Sequence, residues 1–264
     1  MTAVSKHETD PPAGSRQAAA LHFRVMIRRS NELHAIYLKN SERLEQYDRF
    51  TRWQMNYLKR FFVDVYECES YADAIDFTIS DLAGTGISDR DRDLERAAPA
   101  ITRLLPGNAL ETIATAAELN ARVLEINIRI FERLTASGSL PADLTDRDYC
   151  VACRKASTLE ACLELVHLVT NLGGTLKTLA NVSLLRGLLR TMRRPARAAG
   201  FGALQEFLET GYNCFRAIPD IDHLLEEIEN RMTAVFETIY TTPLRELDGT
   251  VDQRIAAITG SDAN

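Results

Sequence analysis

The sequence predicts an all-α protein, a single multi-helix bundle-like domain of about eight to ten helices around a buried central helix. Apolar residues recur every three or four positions along most of the chain, which is the period of a helix that is buried on one face. No segment shows the strict alternation that is typical of a half-buried strand. Most of the 13 glycines and 8 prolines fall between the periodic segments, where helices end.

The segment Glu111 to Thr135 is predicted to be the central helix. Its apolar residues form two adjacent faces, so two layers of neighbours are needed to bury it. On a third face, Glu118 precedes Arg122 by four residues and Glu125 precedes Arg129 by four, the favourable order for helical ion pairs. We expect this charged stripe to be a solvated edge. The apolar faces comprise Leu110, Ile113, Ala117, Ala121, Leu124, Ile128 and Phe131, and Leu119, Val123, Ile126 and Ile130.

The other helices are delimited by capping residues, glycine and proline. Ser41, Ser88 and Asp220 precede apolar-periodic runs and suit N-caps, because their side-chain oxygens accept hydrogen bonds from the first helical turn. Gly173 and Gly174 are expected to interrupt one helix, and Pro195 is expected to restart the chain after another. The predicted helices are 15–39, 41–66, 71–82, 88–106, 111–135, 145–172, 182–192, 203–217 and 220–240.

Length and composition favour one domain between two loosely ordered ends. At 264 residues the chain allows one large domain or two small ones, and 45% hydrophobic residues suffice for a sizeable core. We predict a disordered N-terminus over 1–14, which has little to bury and contains Pro11, Pro12 and Gly14. The helical domain is expected over 15–242, and a weakly ordered C-terminal tail over 243–264.

Charge and targeting signals limit the classes of function. The net charge of −6 argues against general nucleic-acid binding, which relies on an excess of Lys and Arg. The first residues lack the apolar core of a signal peptide, and no run approaches the 20 or so apolar residues that span a membrane. The five cysteines are an odd number and are expected to be reduced. We therefore expect a cytoplasmic protein.

Three segments carry a resemblance. RFFVDVYE (Arg60 to Glu67), DRDRDLERAAPAITRLLP (Asp89 to Pro106) and LLRTMRRPARAAGFGALQEFLETGYNCFRAI (Leu188 to Ile218) are similar to an uncharacterised bacterial all-helical family with an FF-x-D-x-Y motif, an RD-rich helix ending in LP, and an R-x-P-A segment. The resemblance covers about two thirds of the chain and implies a helical fold. It implies no activity, so no catalytic residue is carried over. The chain departs from the family pattern over 68–87.

The spacing of cysteine and histidine residues suggests a zinc site, but the predicted helix would place these residues too far apart to form it. Cys150 and Cys153 form C-x-x-C, with Cys162 and His167 downstream, and these residue types can bind zinc tetrahedrally. All four lie in one predicted helix, where they would spread over about 25 Å of axis. They cannot then surround one ion, and we predict no metal and no cofactor.

Two further metal motifs are incomplete. Glu164 and His167 form the E-x-x-H half-motif of di-iron helical bundles. The nearest second copy is Asp220 with His223, a D-x-x-H in which Asp220 is already explained as an N-cap. Asp89, Asp91 and Asp93 resemble the start of a calcium loop, although the position that requires glycine is occupied by Leu94.

A pair of acidic motifs supports an alternative enzymatic function. Asp89 with Asp93, and Asp222 with Glu226, are each four residues apart. On facing helices such pairs can hold magnesium and diphosphate, as in prenyl-transfer enzymes with helical folds. The same spacing is common on solvated helix faces.

The main candidate site is basic. Five arginines fall within twelve residues, at spacings that would stack them along one face if the helix ran through Pro195. Guanidinium groups suit phosphate, carboxylate or an acidic protein. A solvated face, or ion pairs with Glu206, Glu209 or the acidic cluster at 226–229, is the alternative. The arginines are Arg186, Arg190, Arg193, Arg194 and Arg197.

These patterns together predict a non-enzymatic helical binding or adaptor protein, with an acidic protein or a small anionic ligand as its partner. The alternative is a helical enzyme with magnesium and diphosphate chemistry. The sequence leaves the oligomeric state open.

Overall fold

The computed structural model describes residues 13–38, 40–83, 87–105, 107–138, 144–180 and 183–247, with 253, 256 and 257. Within them the chain forms ten α-helices, three short 3₁₀ turns and no strand, which confirms the predicted fold class. Of the N-terminus predicted to be disordered over 1–14, residues 1–12 lie outside the described part, whereas Ala13 and Gly14 already belong to the first helix. The helices are α1 (Ala13–Leu38), α2 (Ser41–Lys59), α3 (Glu69–Ala83), α4 (Ile87–Leu104), α5 (Gly107–Ser137), α6 (Asp146–Ala156), α7 (Leu159–Ala180), α8 (Ser183–Ala198), α9 (Gly202–Ala217) and α10 (Ile221–Thr241).

Helix α5 is the central helix that the sequence predicted. It has 31 residues and contacts α1, α2, α3, α6 and α7. Leu110, Leu119, Ile128 and Phe131 are all buried along it. Gly138 follows the helix in a left-handed conformation with φ of 78°, which glycine adopts without steric cost.

The charged stripe of α5 holds the two predicted ion pairs but is more than a solvated edge. Arg122 lies 2.9 Å from Glu118, and Arg129 lies 2.6 Å from Glu125. The same carboxylates also contact α1, through His22 at 2.9 Å and through Arg29 at 3.3 Å. Exposed pairs of this kind contribute about 0–1 kcal/mol each. They therefore add little to stability, although two of them join α1 to α5.

Two apolar clusters fill the interior. The larger joins α2, α5, α6 and α10, where Phe50 and Phe131 pack with ring centroids 5.9 Å apart. The smaller lies between α1, α4 and α5 and contains Phe23, Ile27 and Ala98. Helix α1 thus contributes to the core along its length.

Buried amide groups add hydrogen bonds between the helices around α5. Asn120 donates to the Ser30 hydroxyl of α1 at 3.0 Å. Gln54 of α2 donates to the Asn127 side-chain oxygen at 2.9 Å and to the Tyr149 hydroxyl of α6 at 3.0 Å. Each pairing satisfies a polar group that would otherwise be buried without a partner.

The segment predicted as one helix over 145–172 is two helices, and this prediction was wrong. Ser157 is extended, with φ of −146° and ψ of −178°, so α6 ends at Ala156. The Thr158 hydroxyl accepts from the Ala161 amide at 3.2 Å and caps α7. Helix α7 then continues through Gly173, where an added Cβ would clash with the Leu225 side chain of α10. Gly173 allows a close helix contact and does not interrupt the helix.

The packed part of the chain extends past residue 242, where the helical domain was expected to end. Arg154 of α6 donates to the backbone oxygens of Ile239 and Thr242 at the C-terminus of α10, where a cation is favourable. A 3₁₀ turn follows over Leu244–Glu246, and Leu247 is 1% exposed within the larger cluster. Of the predicted tail, 248–252, 254–255 and 258–264 lie outside the described residues.

Candidate ligand-binding surface

Helix α8 carries the five candidate arginines and runs through Pro195. The sequence had suggested a restart at this proline, but α8 is continuous over Ser183–Ala198. The amide that proline lacks would have donated to the Thr191 carbonyl. Both Thr191 and Pro195 are exposed, so that carbonyl can bond to water and the interruption is tolerated.

A Schellman motif ends α8 and sets its angle to α9. The Phe201 amide donates to the Ala196 carbonyl at 2.8 Å, and the Gly200 amide donates to the Arg197 carbonyl at 3.1 Å. Gly200 has φ of 80°, a left-handed conformation that favours glycine. This turn brings α9 back into contact with α8, and the two helices form a helical hairpin.

Arg193 braces the hairpin. Its guanidinium donates from Nε to both carboxylate oxygens of Glu209 on α9, at 2.6 and 2.7 Å. Gln205 donates to the same carboxylate at 2.6 Å and to the Leu189 carbonyl at 2.8 Å. The hydrogen bonds between the two side chains raise the pKa of Arg193 and lower the pKa of Glu209. One of the five candidate arginines is therefore engaged within the protein, as the alternative of pairing with Glu209 anticipated.

The other four arginines form an exposed row that we call the arginine ridge: Arg186, Arg190, Arg194 and Arg197. Steps of four, four and three residues keep them on one face of α8, and all four are exposed. Among the described residues, none of the four makes an ion pair. At 1.5 Å per residue the ridge is about 16 Å long.

One further arginine lies close to the end of the ridge. Arg96 of α4 stacks over the ring of Phe201, with the guanidinium carbon 5.1 Å from the ring centroid. It also contacts Asp93 at 3.3 Å. Arg96 therefore lies beside the Schellman turn, with its charge paired to Asp93.

The cysteines of the C-x-x-C motif lie inside the core. Cys150, Cys153 and Cys162 are buried, and none of the five cysteines forms a disulfide bond. Burial raises the pKa of Cys150 to about 11 and also raises that of Cys153. The Cys162 sulfur lies 3.5 Å from the Tyr240 hydroxyl, which donates to the Cys153 carbonyl at 3.0 Å. These thiols are packed side chains.

The E-x-x-H residues are engaged separately on the surface. Glu164 pairs with Arg122 at 3.2 Å, and His167 contacts Glu229 at 3.0 Å with 63% of its side chain exposed. Within the described part of the chain, no group of three or more His, Cys, Asp or Glu residues is arranged to hold a metal ion.

The two acidic motifs of the enzymatic alternative occupy different surroundings. Asp93 on α4 contacts Arg96, whereas Asp222 on α10 contacts Lys177 at 2.5 Å. Helix α4 packs mainly on α1 and α9, and α10 packs mainly on α7 and α6. The side chains of Asp89 and Asp91 lie outside the described residues. The magnesium and diphosphate chemistry stays a prediction that these contacts do not favour.

The FF-x-D-x-Y segment forms a docking point for α10. The buried guanidinium of Arg231 donates to Asp64, to Glu227 and, at 2.9 Å, to the Phe61 carbonyl. It also lies 5.5 Å from the ring of Phe62. Burial lowers the pKa of Arg231, but hydrogen bonds with the two carboxylates outweigh it and the net pKa is raised.

Sequence reasoning did not single out Arg231, although a signal was present. Arg231 lies three residues after Ile228 and four before Val235, so it falls within the apolar stripe of α10. A charged residue at such a position is buried only when it is paired. The same reasoning would have directed attention to the acidic residue of the FF-x-D-x-Y segment.

Comparison with known proteins defines the class to which the fold belongs. Residues 35–244 match the family described as a domain of unknown function (DUF8198). The match covers most of the chain, and the protein is a member of that family. No curated protein and no solved structure matches the chain.

Proposed function

We propose that this protein is a non-enzymatic cytoplasmic adaptor that binds an acidic segment of another protein along the arginine ridge of α8. The observation that carries the proposal is the ridge itself. Four exposed arginines stand in one row on a helix whose fifth arginine is used to hold that helix in place. Guanidinium groups bind carboxylates through paired hydrogen bonds.

The shape of the ridge favours a protein segment over a small anion. A small ligand is usually held in a concave site that surrounds most of its surface. The ridge follows the outer face of one helix, and the clefts described along α1 with α5 and along α5 with α7 contain none of its residues. A helix with glutamates every three or four residues would match the arginine spacing over the same length.

The cytoplasmic location has a separate line of support. None of the five cysteines, which all lie in the described part of the chain, forms a disulfide bond, as expected in a reducing compartment. Among the described residues, no helix has the length and apolarity needed to cross a bilayer. A bacterial source is part of the same proposal and rests on the resemblance of three sequence segments alone.

Fluorescence anisotropy with a synthetic acidic helical peptide tests the function. The peptide carries glutamates at the ridge spacing, and a glutamine version of it serves as the uncharged probe. Three arginines of the ridge, Arg186, Arg190 and Arg197, are replaced with Gln. The matched control replaces Arg52, Arg103 and Arg133, which are exposed on three other helices, and causes the same change in net charge.

We expect the ridge variant to lose binding by at least tenfold, while the control variant keeps it. Added salt should weaken wild-type binding, because exposed charges are screened over about 10 Å at 0.1 M. An equal loss in both variants would mean that only net charge matters. Tighter binding of inorganic diphosphate than of the peptide would favour a small anionic ligand. Either result contradicts the proposal.

A further inference from the structure

Helix α1 presents an outward face with the repeat of a coiled coil. Residues 18, 21, 25, 28, 32 and 35 follow alternating steps of three and four, which is the spacing of a and d positions in a heptad. All six are exposed: Ala18, Leu21, Val25, Arg28, Glu32 and Ala35. The opposite face of the same helix carries Phe23 and Ile27 into the core. Apart from Arg28 and Glu32 this outward stripe is apolar, and no described residue of the chain buries it.

Exposed apolar side chains are concentrated on this face. Among the described residues, seven large hydrophobic side chains are exposed, and three of them belong to α1. Leu21, Ile36 and Val25 are 65%, 52% and 48% exposed. Leu21 and Val25 also line an open groove between α1 and α5, together with Ala114. Leu21 and Val25 are one turn apart, and Ile36 lies beside the stripe about 16 Å further along the helix. Three exposed large apolar side chains on one helix favour an interaction surface.

The charges on the stripe indicate the occupant. Arg28 and Glu32 stand at adjacent positions of the repeat, and neither makes an ion pair among the described residues. If two copies of α1 lay parallel, Arg28 would face Arg28 and Glu32 would face Glu32. In an antiparallel pair, Arg28 can lie level with Glu32 of the second copy, and two-fold symmetry forms this contact twice.

We infer that the protein forms a symmetric homodimer in which the outward faces of two α1 helices pack antiparallel. In the alignment that sets Arg28 level with Glu32 of the second copy, Val25 is level with Ala35. Val25 and Glu32 occupy a positions, and Arg28 and Ala35 occupy d positions. Each a position therefore faces a d position, as in an antiparallel coiled coil. Ile36 of the second copy then lies between Leu21 and Val25, at the groove beside α5. This alignment satisfies the charges, covers Val25 and Ile36, and leaves Leu21 at the edge of the overlap, where Ile36 of the second copy can contact it.

This interface is separate from the arginine ridge. The dimer is formed by α1, whereas the ridge belongs to α8, and the two helices make no major contact in the described part of the chain. Loss of the dimer is therefore measured independently of peptide binding. Two copies would present two ridges, and a partner with two acidic segments could engage both.

Light scattering coupled to size-exclusion chromatography over a dilution series tests the dimer. Wild-type protein should show twice the mass of one chain. Val25→Glu should halve the measured mass, because it introduces like charges and removes apolar contact. The matched control is Leu208→Glu, at a leucine of α9 that is 40% exposed. This substitution should leave the dimer intact.

Charge exchange tests the register. Arg28→Glu and Glu32→Arg should each shift the protein towards monomer, since each brings like charges level with one another. The double variant restores opposite charges and should recover the dimer. Circular dichroism should show the same helix content in all variants. A monomeric wild type, a dimer that is split by Leu208→Glu and not by Val25→Glu, or a double variant no better than the single ones would overturn the inference.

Discussion

Asp64 forms a bidentate ion pair with Arg231, 167 residues away in sequence, with its two carboxylate oxygens 2.6 and 2.7 Å from the guanidinium nitrogens. The arginine side chain is 3% exposed, whereas that of Asp64 is 49% exposed. Arg231→Met should lower the free energy of unfolding by about 3 kcal/mol, the lower end for breaking a buried pair, because water can reach the remaining carboxylate. Urea denaturation measures the change. A loss no larger than that of a surface substitution would contradict the docking role of this contact.

The same contact predicts a dependence of stability on pH. Hydrogen bonds from Arg231 hold the pKa of Asp64 below its ordinary value of 3.8. A carboxylate with a lowered pKa in the folded state contributes stability above the unfolded pKa and loses it as pH falls through the folded pKa. Wild type should therefore be more stable than Asp64→Asn above about pH 4, and the difference should shrink at lower pH. A difference that stays constant down to strongly acid pH would argue against this linkage.

The core around α5 should be sensitive to loss of volume. Ile128 is 5% exposed within the larger cluster, and Ile128→Ala removes methyl groups and leaves a cavity. We expect a destabilisation of about 2–5 kcal/mol. Arg133→Ala, at an exposed position of the same helix, should change stability by no more than about 0.5 kcal/mol. Equal effects in thermal denaturation would contradict the central position of α5.

Thiol reactivity should follow burial. Alkylation of folded protein near pH 8 should modify Cys68 and Cys214, which are partly exposed, before the other three cysteines. Burial and the raised pKa of Cys150 keep its reactive thiolate scarce. Mass spectrometry of digested samples gives the order of modification. Early labelling of Cys150 would indicate a more open α6 than the structure describes.

Metal content gives a separate test of the C-x-x-C motif. The motif lies in the packed core next to Tyr57, whose hydroxyl is 4.0 Å from the Cys150 sulfur. We expect less than stoichiometric zinc by elemental analysis and an unchanged melting temperature after treatment with a chelator. One zinc per chain, or a chelator-dependent fall in melting temperature, would refute this expectation.

Periodicity was sufficient to predict the fold, but local chemistry decided where helices end. Apolar spacing located the central helix within four residues at each end, because burial on two faces leaves a strong pattern. The break at Ser157 was missed, since no glycine or proline marks it. At Pro195 a break was predicted where the helix continues. A proline on an exposed face costs the helix little, because water can donate to the carbonyl that has lost its backbone donor.

For the candidate site, too, sequence spacing predicted part of the arrangement and missed the contacts between helices. The row of arginines could be recognised from spacing alone, and the structure adds which of them is already engaged. That Arg193 binds Glu209 depends on the angle between α8 and α9, which the Schellman turn at Gly200 sets. Spacing within one helix cannot reveal a partner on another helix.

Helix α1 shows that the unit recognised by family comparison is smaller than the unit that folds. The match to the family begins at residue 35, so nearly all of α1 lies before it, yet Phe23 and Ile27 of α1 close the core against α4 and α5. A recombinant fragment cut at the family boundary would leave Ala114 and its neighbours on α5 facing water. Expression plasmids designed for this protein should therefore start ahead of Ala13, or poor solubility could be mistaken for an inherent property of the domain.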